Sequence, residues 1–153
     1  MKTLMTSNPI SNKLVSTLFL FVLSITFAFG QTKTVVTEGQ NITVTVKNVK
    51  NNTGQVMVAL HTADTWMKGL GLQNINSKIE NNQVSITFKN VTPDTYAIMV
   101  LHDENTNNRM DFDNGMPTEN YGMSNNPMSY GPPQFSESKF EINTEDLEFN
   151  IRF

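Results

Sequence analysis

Apolar and polar residues alternate with a period of two over most of this chain. Ile42, Val44 and Val46 interleave with Thr43, Thr45 and Lys47. Val56, Val58 and Leu60 interleave with Met57, Ala59 and His61, and Val84, Ile86 and Phe88 with Ser85, Thr87 and Lys89. Leu147, Phe149, Ile151 and Phe153 interleave with Glu148, Asn150 and Arg152. Side chains of a strand point alternately to its two faces, so this pattern predicts strands with one face buried and one wet. Tyr96 to Leu101 is apolar throughout and predicts a central strand covered on both faces. Phe140 and Ile142 mark a shorter strand.

Turn-forming residues punctuate these runs. Asn51-Asn52-Thr53-Gly54 predicts a hairpin-like turn between the first two strands, and Pro93-Asp94 separates the third from the fourth. Residues 62–79 break the period. They predict a short helix near Ala63–Lys68 and then a glycine-bearing loop, with Trp66, Leu70, Leu72 and Ile75 capping one open end of the fold. Six or seven short strands at this spacing predict an all-β fold, an antiparallel β-sandwich of Ig-like or transthyretin-like outline with one long acidic loop.

The first thirty residues carry a different signature. Lys2 and Lys13 precede an uncharged, mostly apolar run from Leu14 to Phe29, and Ala28-Phe29-Gly30 places small residues at the positions that determine cleavage. Residues 1–30 therefore read as a secretory signal peptide cut before Gln31, with an uncleaved N-terminal anchor as the alternative. The run is short for a membrane span, which needs about 20 apolar residues, and no second such run follows. Removing it from the 153 residues leaves 123, residues 31–153, expected to form one β-sandwich domain in a secreted or periplasmic protein. Those residues keep 9 of the 11 basic residues and all 14 acidic ones, a net charge of −5. They hold no basic patch, so nucleic acid is not an expected partner. The chain has no cysteine, hence no disulfide and no lipid-attachment thiol.

Chemistry concentrates between His102 and Phe135. Oxygen-bearing side chains recur at alternate positions, Asp103, Asn105 and Asn107, followed by Asp111 and Asp113. Hard oxygen donors suit calcium rather than a soft metal. Counting from Asp103, the first, third, fifth and ninth positions match an EF-hand-type loop, and Arg109 at the seventh would offer its backbone carbonyl. The match stops at Asn108, where glycine is usual, and at Asn114, where a bidentate glutamate is usual. The segment before it is a strand. An EF-hand is rejected and a calcium loop on a β scaffold retained, with Asp113 or Glu119 completing the shell. The same residue types also form turns without any ion, so an ion-free, hydrogen-bonded loop is the competing reading. Tyr121, Tyr130 and Phe135 are expected to pin the long loop to the sandwich. With Ser124 and Asn125, Tyr121 and Tyr130 also compose a candidate recognition surface for a glycan or protein. Catalytic signatures are missing. The serines have no nucleophile-elbow context. His102 shares a face with Tyr96, Ile98 and Val100 and is expected in the core, whereas His61, at a strand end, is expected to face solvent.

A resemblance is carried by His102-Asp103-Glu104-Asn105-x-Asn107, Pro117-x-Glu119-x-Tyr121-Gly122-x-Ser124-Asn125-Asn126 and Gly131-Pro132-Pro133-x-Phe135, with Pro93-x-Thr95-Tyr96-Ala97 before them. Together they resemble the exported bacterial family catalogued as domain of unknown function 2141, over nearly all of the chain after residue 30. The resemblance implies a small secreted or periplasmic β-sandwich and no assigned activity. Thr106 and Asn108 stand where the family's loop is expected to carry glycine, Asp94 where glycine is usual and Met123 where an aromatic is usual. Three functional expectations follow. The first is a non-enzymatic, exported module, structural or accessory at the cell envelope, whose loop binds calcium. The second is an adhesion-type module binding carbohydrate or protein through residues 102–135. The third is a small hydrolase using two of the loop's carboxylates.

Overall fold

The computed structural model describes residues 39–153. The signal segment read at residues 1–30 lies outside them. Ten strands form, with one short helix. They are β1 (Gln40–Lys47), β2 (Gln55–His61), β3 (Gln73–Ser77), β4 (Gln83–Val91), β5 (Asp94–Asp103), β6 (Phe112–Asp113), β7 (Met116–Pro117), β8 (Tyr121–Met123), α1 (Phe135–Ser138), β9 (Phe140–Ile142) and β10 (Leu147–Ile151). No helix among the described residues is long and apolar enough to cross a membrane.

Two sheets face each other across the core. One has the order β10-β1-β4, the other β3-β2-β5-β8, with β9 pairing the start of β5 on the same edge as β8. The alternating residues meet between them. Ile42, Val44, Val46, Val84, Ile86 and Phe88 from the first sheet pack against Val56, Val58, Leu60, Tyr96, Ile98 and Val100 from the second. Burying such a side chain contributes about 1.5–3 kcal/mol. Tyr96 is buried with its hydroxyl donating to the Thr92 carbonyl at 3.0 Å, which removes the cost of an unpaired polar atom.

The β-sandwich expectation holds, and four local readings are corrected. Residues 51–54 do not join a hairpin. β1 pairs with β4 and β10 whereas β2 pairs with β3 and β5, so this turn carries the chain from one sheet to the other. β1 and β10 pair in parallel, which alternation along a single strand cannot reveal. No helix forms at 63–68. The N–H groups of Thr65 and Trp66 both reach the Thr62 carbonyl, and Met67 then turns left-handed (φ 58), which ends the turn. Leu70 and Leu72 are exposed and cap nothing, and Gln73–Ser77 is an edge strand of the second sheet. Lastly, the outer face of β2 is dry. Met57, Ala59 and His61 are buried there, and His61 does not face solvent.

Candidate functional site

The acidic loop leaves the end of β5, the central strand of the second sheet, and returns through β8 to pair with the same strand. Asp103 is fully buried at its root. Its Oδ1 accepts the N–H of Asn107 at 3.1 Å. Its Oδ2 accepts the N–H of Asn108 at 2.9 Å and the Gln55 Nε2–H at 2.8 Å. Asn105 Oδ1 then accepts the Asn107 N–H, and Asn107 Oδ1 accepts the Arg109 N–H, both at 3.0 Å. The chain can follow this spiral because Thr106 (φ 61) and Asn108 (φ 62) are left-handed. These are the two positions where the resemblance expected glycine, and glycine reaches that region without strain.

Asp111 lies across the loop from these amides. Its carboxylate accepts from Asn107 Nδ2 at 3.0 Å on both oxygens and from Asn105 Nδ2. Glu119 is buried and closes the far side, accepting the N–H of Glu104 at 2.9 Å and that of Asp111 at 3.2 Å. Asn108 Oδ1 ties the loop to the sheet by accepting from Gln55 and Asn76. Asp103, Asn105, Asn107, Asp111 and Glu119 are thus brought together, and Arg109 follows with an exposed side chain. Asp113 is not. It sits in the two-residue hairpin of β6 and β7, closed by Asn114 (φ 47) and Gly115 (φ 80). Of the two carboxylates considered for completing the shell, the fold brings in Glu119.

An amide oxygen has two lone pairs, and Asn105 Oδ1 and Asn107 Oδ1 each accept one N–H and keep one pair free. Among the described residues no three His, Asp or Glu side chains gather as a metal cluster. An ion in this loop therefore needs amide and carbonyl oxygens beside its carboxylates, as a calcium loop uses and a zinc site does not.

The candidate recognition surface does not assemble. Ser124 is fully buried, accepting the Ile98 N–H and donating to the Ser138 carbonyl. Asn125 spends its amide on the carbonyls of Glu137 and Lys139. Tyr121 is half-buried on β8. Tyr130 is fully exposed and pins nothing, so its expected role is corrected. Phe135 does pin the loop. It packs edge-on against Trp66, whose indole N–H donates to the Pro133 carbonyl at 3.1 Å and whose ring meets His61 edge-on. Trp66 is thus a buried packing residue. His102 is in the core as expected, stacked on Phe153, with Nε2 on the Thr53 carbonyl at 2.9 Å.

Two buried groups make stability fall with acid. Burial is the largest influence on Asp103 and works to raise its pKa, but the bonds from Gln55 and the backbone at 106–108 together outweigh it and hold the carboxyl below its ordinary value. Burial lowers the pKa of His61 against the opposing bond to the Thr65 carbonyl. The folded state thus binds fewer protons than the unfolded chain at both positions, and stability drops as pH falls. The His61 share is complete above its unfolded value of about 6.5 and is lost below it. The Asp103 share is complete above about 3.9 and is lost below that. Urea unfolding at pH 7.5, 5 and 3.5 should give three descending stabilities, with His61→Gln flattening the first step. Equal values at pH 7.5 and 5 in the parent protein contradict the assignment to His61.

No curated protein matches the chain. A solved pilus-presented adhesin, Cpa, is similar over 77% of this chain and 27% of its own length, at 14% identity and a TM-score of 0.25. The chain therefore spans about a quarter of that protein, and at that score the likeness carries no functional argument. The profile of a family described as an uncharacterized protein conserved in bacteria, DUF2141, matches residues 44–150, from β1 to β10 and across the whole acidic loop, and the chain belongs to that family.

Proposed function

We propose that this protein is an exported, non-enzymatic β-sandwich module whose loop at 103–119 is ordered by calcium. One observation carries the reading: Asp103, Asn105, Asn107 and Asp111 fold onto a single spiral turn, with left-handed backbone at the fourth and sixth positions and Glu119 closing it. Oxygens of Asp103, Asn105, Asn107 and Asp111, with the Arg109 carbonyl and Glu119, would hold the ion. Bound calcium would supply charge neutralisation and rigidity rather than reactivity. Export rests on the pattern of residues 1–30, and a mature N-terminus at Gln31 by mass spectrometry tests it.

Asp103 cannot serve as the discriminating mutation, because it holds the loop together whether or not an ion binds. Asp111 can, because its side chain is about one-third exposed. The test is a thermal melt in EDTA and in calcium. Calcium at a hundredfold excess over Kd should stabilise the parent by about 2.7 kcal/mol and should not stabilise Asp111→Ala. Equal melting temperatures in EDTA and calcium overturn the reading and leave the asparagines as turn formers. The adhesion-type alternative has one observation behind it, the full exposure of Met128 and Tyr130 on the segment after β8. Glycan or protein binding that survives EDTA and disappears in Tyr130→Ala would establish that reading instead.

A further inference from the structure

The apolar outer face of β2 and β5 has a chemistry that neither the acidic loop nor the family accounts for. Cross-strand register sets Met57 beside Leu101, Ala59 beside Met99, Met99 beside Met123, and His61 beside Ala97. Residues directly opposite share a face, so three methionines and one histidine lie on a single surface of the sheet. Above it the 66–71 turn and the start of the acidic loop add Met67 and Met110. The result is a groove of about 250 Å³ lined by His61, Met57, Met99, Met67 and Met110, with Met123 outside it.

His61 is held as a ligand would be. Its Nδ1 lies 3.0 Å from the Thr65 carbonyl oxygen, which assigns the ring proton to Nδ1 and leaves the lone pair on Nε2. Nε2 has no hydrogen-bond partner among the described residues. An imidazole that donates one N–H to a backbone carbonyl while offering the other nitrogen is the usual arrangement at a metal. Met67 supplies a second, independent anomaly. Ten non-glycine residues among those described have positive φ, and eight are asparagine, which tolerates the left-handed region. Met67 (φ 58) is one of the other two, held in that conformation on the wall beside His61. Met99 is the diagonal cross-strand neighbour of His61, roughly 7–8 Å away between backbones and within reach of a flexible thioether. The lining includes no carboxylate. Its one charged residue, Arg109, follows Asn108, which is bonded to Gln55 at the opposite end of β2 from His61.

Thioethers with one neutral imidazole and no anionic donor select a soft cation of low charge. We propose that the His61 end of this groove binds Cu(I) through His61 Nε2 and the thioethers of Met67 and Met99. The site is separate from the acidic loop and does not depend on calcium.

The test uses Ag(I), a redox-inert probe for Cu(I), titrated into the whole protein and followed by the methyl NMR signals of its methionines. The expected result is one tight site per chain, with the Met67 and Met99 methyls shifting first. Met67→Leu and Met99→Leu keep the volume and apolarity of the groove, so both should fold. Each should weaken Ag(I) binding by at least about tenfold, the lower end of what losing even a residue behind the ligands costs. Met128→Leu, at a fully exposed position, should leave it unchanged. Unaltered affinity in both groove variants overturns the proposal, and an apolar ligand that binds parent and leucine variants alike would show that the groove is a hydrophobic docking site instead.

Discussion

Asp103→Ala should lower stability by about 3 kcal/mol. The carboxylate is fully buried and accepts bonds from Gln55, Asn107 and Asn108. A hydrogen bond to a charged group contributes about 1.5–3 kcal/mol. Two of the three donors belong to exposed residues that can turn to water, so the loss is smaller than the sum. For a domain near this size that is a fall of roughly 10–15 °C in melting temperature. Asp103→Asn should lose at least half as much, because its amide group turns a donor toward donors. The comparison is made in EDTA, so that no ion contributes. A loss under about 0.5 kcal/mol, as for an ordinary surface turn residue, would show that Asp103 does not organise the loop.

The second large effect comes from outside the loop. Gly54 ends the crossover between β1 and β2 with φ +73, and a Cβ there would lie 2.1 Å from the Asp103 carbonyl oxygen and 2.7 Å from the Glu104 Cα. Both neighbours are backbone and cannot swing aside. Gly54→Ala therefore combines left-handed strain, about 1–2 kcal/mol, with a forced backbone shift, about 1–3 kcal/mol. Gly69→Ala is the control, since Gly69 is also left-handed but has open space around it. It should cost about 1–2 kcal/mol from strain alone. Denaturant midpoints of the two variants separate the terms. Equal losses would mean that Gly54 does not seat the loop against the sheet. A Gly54 variant that still folds should also bind calcium less tightly, because Asp103 is the residue displaced.

The strands were legible wherever one face of the chain meets the core, because burial writes a period of two into the sequence. β1, β4, β9 and β10 are of this kind, and the apolar run of β5 marked it correctly as central. Pairing was not legible, since alternation fixes which side chains point inward and not which strand lies alongside. The 51–54 turn therefore looked like a hairpin although it crosses between sheets. β3 went unread because an edge strand with residues such as Asn74 and Asn76 buries little. The β6–β7 hairpin was missed although Asn114-Gly115 is among the strongest short-range hairpin signals, because the oxygen spacing there drew those residues into the ion loop. Spacing alone therefore does not separate Asp113, which lies in the hairpin, from Glu119, which lies in the loop. The candidate spiral itself was visible as Asp103-x-Asn105-x-Asn107-x-x-x-Asp111. The burial of Asp103 was not, because it depends on Gln55 arriving from a neighbouring strand. His61 misled for the same reason. Its cover comes from Thr65 and from Trp66, which Phe135 in turn packs against, and no local pattern connects these to it.

The calcium reading is tested most directly residue by residue. Amide NMR spectra of the protein, recorded in EDTA and then during a calcium titration, report each loop N–H separately. The proposed site predicts saturable shifts at Asn105, Asn107, Asn108, Arg109 and Asp111 with one ion per chain, and none of comparable size at Asp113 or Asn114 in the hairpin. Spectra that superimpose throughout the titration, or shifts spread evenly over the acidic surface, would contradict it.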